Sequence, residues 1–160
     1  MTLYEKSTIE LICDQLEELF ESHQWLSLTE PAIHQGLTLW NPDTNTLPLI
    51  TIIPRLGKNE ADRYGSITCA QPVEITALIP LAVGASAMIG QAVVAEMIKV
   101  IFRNRQHGWH GFPDELSGIK LLEHGIVQYP DEINPQMVSV GITLEITYEM
   151  ELYHAPRVVL

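Results

Sequence analysis

A chain of 160 residues, 46% hydrophobic and with only two cysteines, is long enough to bury its own core as one domain without a disulfide framework or a structural metal. Twenty Asp and Glu against nine Lys and Arg leave a formal charge of −11, which disfavours binding to the phosphate backbone of nucleic acid. The opening MTLYEKSTIE lacks the basic-then-apolar plan of a secretory leader, so the cytoplasm of the producing cell is the expected compartment.

Ser7 followed by Glu10 is a capping box, and Ile9, Ile12, Leu16, Leu19 and Phe20 recur at helical spacing. The sequence therefore predicts a helix over Thr8 to Ser22, with Glu10, Asp14, Glu17, Glu18 and Glu21 on its solvated side. Within it, Cys13 is expected, like Cys69, as a buried thiol, with a single bridge between the two left open. After a turn near Glu30 and Pro31, Gly36 to Trp40 and Leu47 to Pro54 are expected as a hairpin, joined by the turn-forming run Asn41 to Thr46. Arg55 to Gly65 is polar and punctuated by glycine, and is expected as an exposed loop. Ile67 to Pro80 resumes strand character, with Val73, Ile75, Ala77 and Ile79 on one side.

Ala77 to Phe102 is the most apolar stretch, and a bilayer would need it continuous. Pro80, Gly84 and Gly90 interrupt it, and Gln91, Glu96 and Lys99 would be costly at bilayer depth, so no membrane span is expected. A strand followed by a helix over Ser86 to Arg103 accounts for it better. In that helix the apolar residues, among them Met88, Val94, Ile98 and Phe102, do not fit one stripe. A sheet can bury one side, and the remainder calls for another helix or a neighbouring subunit. Ala85, Ala87, Gly90 and Ala95 permit close approach and favour the subunit.

Arg103 to Pro113 reads as a loop, Asp114 to Leu116 as one helical turn, and Ile119 to Tyr129 as a strand ended by Pro130, Asn134 and Pro135. From Met137 to Tyr153 apolar residues at Val138, Val140, Ile142, Leu144, Ile146, Tyr148, Met150 and Leu152 alternate with small or polar ones. One face of this long strand meets the core, and the other, bearing Glu145, Glu149 and Glu151, meets solvent or a water-filled passage. The elements describe an α+β fold: a mostly antiparallel sheet with two main helices packed on it, in a single two-layer domain over 1–160, with 154–160 as a short C-terminal extension.

Chemistry is sparse. His107 and His110 have a spacing that suits a metal, yet no close third ligand accompanies them. Gly84 to Gly90 lacks the Lys and Ser or Thr that end a phosphate-binding loop, and there is no Gly-x-Ser-x-Gly elbow. Asp114 and Glu115 are adjacent and diverge, and Arg103 with Arg105 is the only tight basic pair. No catalytic residue, cofactor site or metal site is expected, and the chain is not read as an enzyme.

Ile142-Thr-Leu-Glu-Ile-Thr-Tyr-Glu-Met150 resembles the C-terminal strand of tail terminator proteins from long-tailed bacteriophages. The sequence likeness covers about Gly141 to Met150, with a vaguer similarity over Val73 to Pro80, and the order of helices and strands agrees over most of the chain. The resemblance implies a virion protein, assembled in the host cytoplasm, that forms a homohexameric ring at the head-proximal end of the tail. Such a ring caps the finished tail tube and offers the head-tail joining surface. Its expected partners are copies of itself, the tail tube protein, a neck or head-completion protein and, in a contractile tail, the sheath, while DNA passes without specific binding. The alternatives are another neck or baseplate protein, or a small-molecule-binding domain or enzyme.

The chain departs from the family's shorter members by continuing beyond Met150 to an apolar end, Val158, Val159 and Leu160, expected against an adjacent subunit or, in a contractile tail, the sheath. Subunit contacts are therefore expected at Met88, Val94, Ile98, Val158, Val159 and Leu160. A contact with the last ring of the tube is expected at Arg55, Lys58 and Arg63, and a carboxylate-lined passage at Glu145, Glu149 and Glu151.

Overall fold

A computed structural model describes residues 4–36, 48–80, 87–103, 105–128, 137–152 and 158–159, and counts of elements refer to these residues. The elements run β1 (Tyr4–Glu5), α1 (Thr8–Ser22), β2 (Ala32–Gln35), β3 (Leu49–Pro54), β4 (Lys58–Arg63), β5 (Ser66–Pro80), α2 (Ala87–Phe102), β6 (Leu116–Gln128), β7 (Met137–Glu151) and β8 (Val158–Val159). A short 3-10 turn, Arg105–His107, lies between α2 and β6.

The first helix starts where its capping box lies. Ser7 Oγ accepts the Glu10 N–H at 3.3 Å and bonds the Glu10 carboxylate at 3.0 Å, satisfying a donor that the helix ladder leaves open. Ile12, Cys13, Leu16, Leu19 and Phe20 then form one buried stripe. Both cysteines are free, so no bridge joins Cys13 to Cys69.

Six strands form one sheet in the order β2-β3-β5-β7-β6, with β4 pairing β5 beside that path. Every pairing is antiparallel except β2 with β3. The long pair β5–β7 is its spine, in register from Ser66 opposite Glu151 to Pro80 opposite Met137. Alternation along both strands sends Val73, Ile75, Ala77 and Ile79, and Val138 through Tyr148 at every second position, into the core. Both helices cover that face, α1 against β2 and β3, α2 against β6 and β7. A Cβ on Gly90 would stand 2.9 Å from Val140 Cγ1, so the missing side chain lets α2 settle on the sheet. The result is the expected α+β domain of two layers, one mostly antiparallel sheet and two helices.

Four expectations are corrected. Arg55 to Gly65 is no loop: it contains β4, which folds back on β5 through a turn at Tyr64 and Gly65. The hairpin ending in Leu47 to Pro54 is replaced, because β3 has β2 in parallel on one edge and β5 on the other. Residues 37–47, which carry most of that expectation, lie outside the described residues. Leu116, expected in a helical turn, begins a strand. The many-sided apolar character of α2 is met largely within the chain: α1 packs beside it, and Phe102, Trp109 and Phe112 stack edge to face with ring centroids 5.8 and 6.0 Å apart.

Candidate functional site

The two sides of β7 divide the chain's chemistry. Because Ile142, Leu144, Ile146 and Tyr148 face the helices, pleat geometry turns Thr143, Glu145, Thr147, Glu149 and Glu151 to the opposite side of the sheet. The register adds what the local pattern left out: Glu74 of β5 and Glu123 of β6 flank Thr143 from either side. Glu145 lies between Pro72 and Lys120, and Glu149 beside Thr68. Glu145 and Glu149 are half-buried and Glu151 is exposed.

This outer face is hollowed where Gly141 and Gly125 stand opposite each other without side chains. A cavity of about 680 Å³ opens there, lined by Glu74, Thr76, Glu123, His124 and Thr143. Gly125 has φ +142°, a backbone state that a residue with Cβ would hold only under strain, so the hollow depends on glycine. Arg55 Nη2 meets Glu74 Oε2 at 2.8 Å across the neighbouring strands and offsets one carboxylate.

A second polar cluster lies on the helical side. Glu96, alone among apolar neighbours in α2, holds the chain that leaves α1. Its Oε2 bonds His23 Nε2 at 2.7 Å and accepts the Leu26 N–H at 2.8 Å, while its Oε1 accepts the Ser27 N–H at 2.8 Å and the Ser27 hydroxyl. Burial alone would raise this carboxyl, but the bonds from the Ser27 hydroxyl, the two backbone N–H groups and His23 outweigh it and hold it at about 2. His23 and Ser27 each bond a different oxygen of the same carboxylate, so the hydroxyl has no imidazole base and the group is a clasp rather than a nucleophile relay. Burial, with Asp14 and Glu10 nearby, pushes the Cys13 thiol up to about 12 and keeps it protonated at neutral pH.

The residues expected to touch neighbours are dispersed. Val94 is 2% exposed and belongs to the core, where a subunit cannot reach it. Ile98 is half-buried against the same core, and the side chain of Met88 lies outside the described residues. Val158 and Val159 pair with Glu5 and Tyr4 of their own chain, and Leu160 is outside the described residues. Of the three residues expected at the tube, Arg55 and Lys58 are exposed, and the side chain of Arg63 lies outside the described residues. Arg55 is engaged by Glu74, and Lys58 and Arg63 stand opposite Ala70 and Ser66, roughly 13 Å apart along the strand.

His107 is exposed on the 3-10 turn and His110 on the following turn, and among the described residues no group of three or more His, Cys, Asp and Glu gathers to hold a metal ion. No described helix is long and apolar enough to cross a membrane. No protein-family model matches the chain, and no curated protein matches it in sequence.

Proposed function

We propose that the chain is a structural virion protein, a ring-forming tail terminator that caps the tail tube of a long-tailed phage and offers the surface to which the head joins. The observation that carries this reading is the separation of the two faces of β7. The strand with the family-like run Ile142 to Met150 sits between β5 and β6, helices cover one side, and Glu145, Glu149 and Glu151 occupy the other. Carboxylates spaced along a strand repel phosphate, which suits the wall of a passage that DNA must cross without sticking. In this role no cofactor is needed. The partners are further copies of the chain, the tube protein and a neck or head-completion protein, with the sheath added in a contractile tail.

Electron microscopy of the purified protein tests it. Closed rings with the outer face of β7 toward the central hole are expected, and rings carrying Glu145 and Glu149 on their outside would overturn the lining role. Tails grown without the protein separate a terminator from another neck component, since only loss of a terminator leaves overlong or unfinished tubes. Normal tube length in that mutant would count against the reading.

A further inference from the structure

Two exposed patches of this chain complement each other in charge and in apolar content. One is a groove of about 620 Å³ between the clasped loop after α1 and the outward side of α2. Ala92, Ala95 and Val100 line it, Leu26 stands at its rim 90% exposed, and Lys99 and Arg103 add positive charge. These two and Arg105 fall within seven residues in a chain that has nine Lys and Arg in all. Glu96 also lines the groove, tied to His23, Leu26 and Ser27, so with Lys99 and Arg103 the groove is net positive on an anionic molecule.

The other patch is the end of the sheet at the β4–β5 turn. Tyr64 is fully exposed there, with Met150 and Leu152 at 41% and 47%. The Leu152 N–H donates to the Gly65 carbonyl at 2.9 Å, which fixes the end of β7 to the turn. Asp62 stands in register with Ile67 and, across β5, with Met150, and Glu60 is exposed in β4. The patch is thus apolar at its centre and net acidic at its rim.

We infer that the α2 groove of one copy receives the Tyr64 turn of the next. The contact is heterologous, one surface meeting a different one, and such contacts repeat around a ring when the rotation closes. Tyr64 supplies an aromatic anchor for an apolar groove, and the acidic rim faces Lys99 and Arg103, the usual division between a contact's centre and its edge. The inference rests on the ring reading above and adds which surfaces meet.

Charge reversal tests it in the full chain, with association followed by sedimentation and folding by circular dichroism. Lys99→Glu with Arg103→Glu, and separately Glu60→Lys with Asp62→Lys, should each weaken association by roughly tenfold or more. Mixing the two variants should restore it. In the mixture the reversed turn meets the reversed groove, and the native turn meets the native groove, so an alternating ring forms. Tyr64→Ser should weaken association in either background. A wild-type ring whose association is unaffected by both reversals, or two weakened variants that fail to reassociate, overturns this contact and leaves the ring reading standing. A wild-type chain that stays at 18.0 kDa at all concentrations overturns both.

Discussion

The two faces of β7 obey different rules although they share one backbone. Toward the helices, Val140, Ile142, Leu144 and Ile146 are at most 2% exposed, and each is enclosed by residues from several elements. On the other side Thr143, Glu145, Thr147 and Glu149 are half-buried, touched mainly by their cross-strand neighbours. Shape is therefore written on one face, and the other is left to be chosen for what it meets. A fold can tolerate much change on that second face.

Substitutions break or sharpen this contrast. Leu144→Ala, at the centre of the helical face, should cost about 2–5 kcal/mol because the surrounding strands and helices cannot fully collapse onto the space left. Urea unfolding measures it, and a loss below about 1 kcal/mol would mean that this face packs loosely.

Glu96→Ala comes next, at about 1–3 kcal/mol, since it leaves the Leu26 and Ser27 N–H groups and His23 without their acceptor. This effect depends on pH. The folded carboxyl is held at about 2 against an ordinary 4.5, so its contribution is complete above the unfolded value and is lost as pH falls from about 4.5 through about 2. The stability gap between wild type and Glu96→Ala should shrink over that window, and a constant gap would show that Glu96 acts through packing alone. On the outer face, Glu149→Gln should change stability by no more than about 0.5 kcal/mol. A larger loss there would erase the contrast between the faces.

Much of this architecture is legible along the chain because its signals are local. The Ser7–Glu10 box and the spacing from Ile9 to Phe20 place α1 from Thr8 to Ser22, and the alternation from Val138 onward places β7. β4 escapes the same reading because Lys58, Asn59, Glu60 and Asp62 are all exposed, and a strand wet on both sides shows no alternation. The parallel pairing of β2 with β3 and the enclosure of α2 by α1 depend on partners distant in sequence, which no local window contains.

The outer-face glutamates follow from strand parity, but Glu74 and Glu123 join them only once the register of β5 and β6 is known. The clasp on Glu96 reaches back to His23, 73 residues earlier. Its one visible sign is a carboxylate in the most apolar helix, where an acid needs donors to be tolerated.

The edge at β6 bears on a hazard that any protein with an open sheet edge faces. Among the described residues it ends the sheet, and it runs for 13 residues, long enough to template further strands into a fibre. Its pairing with β7 is interrupted by register shifts between Leu116 and Gly118, Leu121 and Glu123, and Ile126 and Gln128. The backbone between these irregularities never offers more than a few evenly spaced donors and acceptors, and each one twists the edge locally. An intruding strand finds no long, straight row to copy, so fibre growth along this edge is discouraged.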